Sequence, residues 1–170
     1  MTTAIRSLTE PAVMAAAAEI VAAEPGFWVG YSGEPVYGEE VAEHLDAARE
    51  LLEKRGWSRT FGDPDPEMPE ADESMSVKAM LLSLLRVARD WSADRGSLTL
   101  SVAMGRVQGS AGDQDTAAAA DRVMGALLRA YTGAPFVSHG AWVSKRGRAW
   151  GEVRDLLVAA AEFARGHGPR

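Results

Sequence analysis

The sequence predicts a mainly α-helical fold: five helices in one orthogonal or bundle-like domain over residues 1–166, with one or two short strands admitted and a disordered tail at 167–170. Two observations carry this expectation. Apolar residues recur at spacings of three and four in five separate stretches, which marks one buried face of a helix. Capping residues precede those stretches, and glycine or Pro-Gly follows most of them. The length of 170 residues then suits a single core, because a chain of this size buries roughly 70% of the surface that its unfolded form exposes.

The first helix starts near Thr9, an N-cap candidate, with Glu10 and Pro11 in the first turn, where a carboxylate and a missing N–H are both tolerated. Val13, Met14, Ala17, Ile20 and Val21 form its stripe, and Pro25-Gly26 ends it. Phe27 to Tyr31, rich in aromatic and β-branched residues, reads equally as a brief strand or a packed loop before the turn at Ser32-Gly33-Glu34-Pro35. The second helix runs from about Glu39 to Arg55, with acids at its start, Val41, Leu45, Ala48 and Leu52 on one face, and Gly56 after it. Residues 61–75 hold three prolines, six acids and no base, which predicts an acidic loop. A third helix, about Ser76 to Trp91, has the widest apolar face and is expected at the centre of the fold.

Leu98, Leu100, Val102 and Met104 alternate with polar or small residues, which fits a half-buried strand, although seven residues leave a helix open. Gly105 to Gly112 is glycine-rich and reads as a loop. The fourth helix is expected from a cap at Asp115 or Thr116 to Gly133, an irregular connection over 134–147, and the fifth helix from about Arg148 to Arg165. No internal repeat of 20–50 residues is present.

Composition narrows the function classes. Ala supplies 30 residues while Leu, Ile, Val and Phe together supply 34, so helix contacts should be thin and anchored by the five Trp and seven Met. With no cysteine there is no disulfide, thiolate metal site or cysteine nucleophile. The N-terminal stretch carries Arg6, Glu10 and Glu19 and lacks the apolar segment of a signal peptide, and no run approaches a membrane span, so a cytoplasmic protein is expected. Fifteen Arg against three Lys point to a GC-rich genome. The net charge of −6 is uneven, with −10 on residues 1–94 and +4 on 95–170, so the basic half either meets an acidic partner or attracts the acidic half.

Searches for chemistry return few candidates. Glu40 and His44 share a helical face, with Glu43 beside them, but one helix supplies too few metal ligands, and the pair reads as surface decoration. The other histidines are His139, next to Ser138, and His167 in the tail. No nucleophile elbow occurs, and Gly105-Arg-Val-Gln-Gly109 matches no phosphate-binding fingerprint. The alternating acids from Asp63 to Glu67 lack the glycine of a calcium loop. The strongest binding motif is Trp142-Val-Ser-Lys145-Arg146-Gly-Arg148-Ala-Trp150, three bases between two aromatics ahead of a helix that adds Arg154. Bases neutralise phosphates and rings stack on unpaired nucleobases, while the structural alternative has both Trp docking the last helix.

Two segments, His44-Leu-Asp-Ala-Ala-Arg-Glu-Leu-Leu-Glu-Lys-Arg-Gly-Trp57 and Trp142 to Leu157, resemble a family of short actinobacterial proteins of unknown function found in Streptomyces-type genomes and their mobile elements. The likeness covers about thirty residues and implies a small helical fold without assigning an activity. The added N-terminal helix, the acidic loop and the lack of a central Cys depart from the family pattern. The expected function is therefore a non-enzymatic accessory protein with no cofactor, binding a protein partner or a second copy of itself. Nucleic-acid binding through Trp142, Lys145, Arg146, Arg148, Trp150 and Arg154 is the alternative. A metal-dependent hydrolase, which needs His44 and His139 to approach each other, ranks third.

Overall fold

Pro11, with its φ preset for a helix, opens α1 (Pro11–Ala22) in the computed structural model, which describes residues 7–60, 97–110 and 113–170 together with Leu82. The N-cap is Glu10, not Thr9: its carboxylate reaches back to accept the Ser7 N–H at 2.9 Å. Val13, Ala17 and Val21 are the buried stripe. The acidic loop 61–75 and the third predicted helix lie outside the described residues, apart from Leu82, as does the expectation that this helix occupies the centre.

Among the described residues the fold is six helices with no sheet. They are α1, α2 (Gly38–Arg55), α3 (Leu100–Ser110), α4 (Gln114–Thr132), α5 (His139–Ser144) and α6 (Trp150–His167). α2 packs along α6 and α3 and also meets α4, while α4 carries α1 and α5 on its flanks. The acids and bases of the two halves meet at the first of these contacts, where Arg165 of α6 reaches Glu39 at 3.1 Å and Asp46 at 2.8 Å.

At residues 98–110 the structure settles the choice between strand and helix and replaces the expected glycine-rich loop. Only Leu98 is extended: its N–H donates to Gly56 O at 2.9 Å and its carbonyl accepts from the Ser58 N–H at 2.8 Å, forming one parallel bridge beside Trp57. From Leu100 the chain is helical, and it stays so through Gly105 and Gly109, where a loop was expected. The physical reason is that Leu100, Ala103, Met104 and Val107 are the buried set, spaced by three, one and three, whereas the alternation seen in the sequence is incidental. Thr99 caps this helix by accepting the Val102 N–H at 3.3 Å. A Cβ on either glycine would meet none of the described residues, so the two glycines weaken α3 without serving its packing among them. Replacing Gly105 or Gly109 by Ala should raise the unfolding free energy by about 0.5–1 kcal/mol each, measured by urea denaturation.

Phe27 to Val36 forms a tight corner with one antiparallel bridge between Val29 and Pro35, in place of a regular strand. Asp115 in the first turn of α4 clasps it, accepting the Tyr31 N–H at 2.6 Å and the Ser32 hydroxyl at 2.5 Å. These bonds, that from the Ser32 hydroxyl foremost and aided by Arg122, hold the Asp115 carboxyl below its ordinary range. That use of Asp115 explains why it is not the cap of α4: Asp113 is, accepting the Thr116 N–H at 2.6 Å. Residues 134–147, expected to be irregular, contain α5, capped by Ser138, whose hydroxyl accepts the Ala141 N–H at 3.4 Å.

The C-terminal segment predicted to be a disordered tail is instead seated. His167 ends α6 with its ring stacked on Phe163 at 4.5 Å, and Pro169 O accepts the Gly38 N–H at 2.9 Å. The anchors also differ from expectation. The four described Trp lie partly buried at the margin of the core, while the fully enclosed large side chains are Phe163, Met124 and a set of Leu and Val.

Candidate functional site

The basic and aromatic segment selected from the sequence divides into two groups. Arg148, at the entry to α6, lays its guanidinium over the Trp142 ring at 3.5 Å, donates through Nε to Trp142 O at 3.2 Å and pairs with Glu152. Glu152 is the third residue of α6, where it also accepts the Ala149 N–H at 2.9 Å. That backbone bond, with Arg148 beside it, holds the Glu152 carboxyl below its usual value. Trp150 packs against Trp57 with ring centres 6.4 Å apart and planes tilted by 31°. Trp142, Arg148 and Trp150 are thus occupied in joining α5 and α2 to the start of α6. Lys145 and Arg146 are exposed, and Arg154, also exposed, pairs with its neighbour Asp155 at 3.2 Å.

A second place gathers chemistry that the sequence only half revealed. A cavity of about 400 Å³ opens where α2, α3 and the start of α4 meet, and its described lining is Glu40, Glu43, His44, Ala47, Val107, Asp113 and Thr116. His44 is not a surface residue, as the sequence reading had it: it is only 4% exposed, and both ring nitrogens are buried without a hydrogen-bond partner. The periodicity contained this, since His44 stands three residues after Val41 and four before Ala48, on the buried face. Asp113 was missed because its capping role depends on where α4 starts.

Burial holds the His44 imidazole below its ordinary value of 6.5, against the pull of Asp121 and Asp113. Asp121 on α4 keeps 54% of its side-chain exposure, yet the protein around it desolvates the carboxyl enough to raise it above 3.8, against the charges of His139 and His44. His139 Nε2 lies 3.6 Å from Asp121 Oδ1. Asp121 therefore feels both histidines, but among the described residues no group of three His, Asp or Glu side chains could hold a metal ion.

The pH consequence has a definite sign. An unfolded chain protonates His44 near pH 6.5 while the folded protein resists, so this residue's contribution to stability is lost as pH falls below about 6.5 towards the folded value. Asp121 acts in the opposite direction and lower down, losing stability as pH rises from 3.8 towards its raised value. The fall in urea midpoint between pH 7.5 and pH 5.0 should accordingly be smaller in His44→Gln than in the wild type.

The family of unknown function named DUF6197 matches residues 36–163, three quarters of the chain. The protein belongs to this family. The DUF6197 match begins at Val36, just before α2, and ends at Phe163 in α6, so it takes in both the cavity and the Trp142–Arg154 segment while leaving α1 outside. Comparison with curated proteins and with solved structures returns no match. Among the described residues of this DUF6197 member, no helix is long and apolar enough to cross a membrane.

Proposed function

We propose that the protein is a non-enzymatic accessory protein of the actinobacterial cytoplasm that binds a macromolecular partner through the corner built around α5. The observation that carries this reading is Phe136, which is 91% exposed in the connection between α4 and α5. Burying such a ring is worth about 1.5–3 kcal/mol, which a partner surface would recover. Lys145 and Arg146 stand exposed at the other end of α5, and aromatic and Arg side chains are the residues that dominate interface energies. An apolar socket rimmed with acids is the complementary surface.

The stacking expected of a nucleic-acid binder is disfavoured, because Trp142 has a face under Arg148 and Trp150 packs on Trp57. The test compares the wild type with Phe136→Ser/Lys145→Glu/Arg146→Glu, first by sedimentation of the pure protein and then by affinity capture from an extract of the source organism. Self-association or retention of a protein that the triple variant loses, at unchanged thermal stability, supports the reading. Capture undiminished by the triple variant, or retention of a single-stranded oligonucleotide at ~50 mM salt, overturns it.

A further inference from the structure

The cavity beside His44 is independent of the α5 corner and has its own chemistry. Three of its lining side chains, Glu40, Glu43 and Asp113, are carboxylates, and none of the described lining residues is basic. The fourth polar group is an imidazole, 96% buried by its 4% exposure, with both nitrogens unpartnered. A buried polar group without a partner costs about 1–3 kcal/mol, so a donor that reaches either nitrogen from the cavity side recovers that cost. Ala47 and Val107 supply an apolar wall.

We propose that this cavity is a binding site for a short aliphatic polyamine. Its ammonium groups would sit among Glu40, Glu43 and Asp113, its methylene chain would lie along Ala47 and Val107, and one N–H would donate to the unprotonated nitrogen of His44. A volume of about 400 Å³ falls within the range of small-molecule pockets, about 300–1,000 Å³. An organic cation fits better than a metal ion, since no three ligating side chains among the described residues converge on one point. Burial keeps the imidazole an acceptor near neutral pH, outweighing the nearby carboxylates of Asp121 and Asp113, which pull the other way.

The test is calorimetric titration of the full chain with spermidine and putrescine at low salt, alongside NMR observation of the His44 ring. Saturable one-to-one binding that moves the His44 ring resonances is expected, weakened on the order of tenfold by Glu43→Gln and again by Asp113→Asn. Asn retains the N-cap of α4, so the second variant removes charge and leaves the helix start intact. Asp63→Asn/Asp65→Asn/Glu67→Gln, in the acidic segment, should leave the affinity unchanged. The proposal is overturned by affinity that follows the acidic segment instead of Glu43 and Asp113, by binding without a response at His44, by tighter uptake of Zn²⁺ or Mn²⁺ at the same residues, or by no binding. None of these outcomes bears on the Phe136 corner.

Discussion

Phe163→Ala is expected to lower the unfolding free energy by about 3–5 kcal/mol, the range for emptying a fully buried aromatic site. The reason lies in the composition of the core around it. Of the 32 buried apolar residues described, eleven are Ala, and Ala159, Ala160, Ala161 and Ala164 stand on the same helix as Phe163. Small neighbours have few side-chain atoms with which to collapse into a vacated space, so the cavity persists and its cost with it. The ring also carries the His167 stack that holds the end of α6. Against a total stability of about 5–15 kcal/mol, a loss of this size threatens the fold. Urea denaturation measures it, and Phe163→Leu should recover more than half. A loss below about 1 kcal/mol would mean that α6 repacks and that Phe163 is not an anchor.

Gly38→Ala is expected to destabilise by about 3 kcal/mol, the upper end of overpacking effects. A Cβ on Gly38 would stand 2.2 Å from Ala164 O and 2.8 Å from the Cα of Gly168, both backbone atoms that no side-chain rotation can remove. α2 would have to lift away from α6, straining the bonds between Arg165 and Glu39 or Asp46 and the bond from the Gly38 N–H to Pro169 O. For a chain of this size the midpoint of thermal unfolding should fall by roughly 6–12 °C. Gly125→Ala is the control: among the described residues its Cβ would meet only Val137 O, at 3.9 Å, and the helix should tolerate it. Equal behaviour of the two variants would show that α2 and α6 are free to separate at that end.

The contrast between these residues and the better-read parts of the chain shows what a single sequence conveys. α2 and α6 were legible because their stripes, their acids at the start and their bases near the end agree with one another. α3 was left open between strand and helix because Leu100, Val102 and Met104 satisfy an alternating pattern over a few residues, and its second half was expected to be a loop because two glycines hid the helical period. The Thr99 cap, which would have decided between them, carries weight only once the helix is assumed. Within the candidate site, the chemistry of His44 was visible but its burial was discounted in favour of the pair with Glu40. The approach of Gly38 to Gly168 was beyond reach, since it depends on two backbones meeting across 130 positions of sequence. The basic segment stood out in the sequence as a group, but which of its members face water depends on the end of α2, which brings Trp57 against Trp150.

That last pair gives the protein a built-in optical gauge. Two indoles with centres 6.4 Å apart and planes tilted by 31° are close enough for their excited states to mix, which produces a paired positive and negative band in circular dichroism that a lone indole does not show. The signal depends on the joint between Gly56 and the start of the last helix, so its disappearance ahead of the helical backbone signal would reveal a partial opening there. A binding event that twists this joint would register without any label attached.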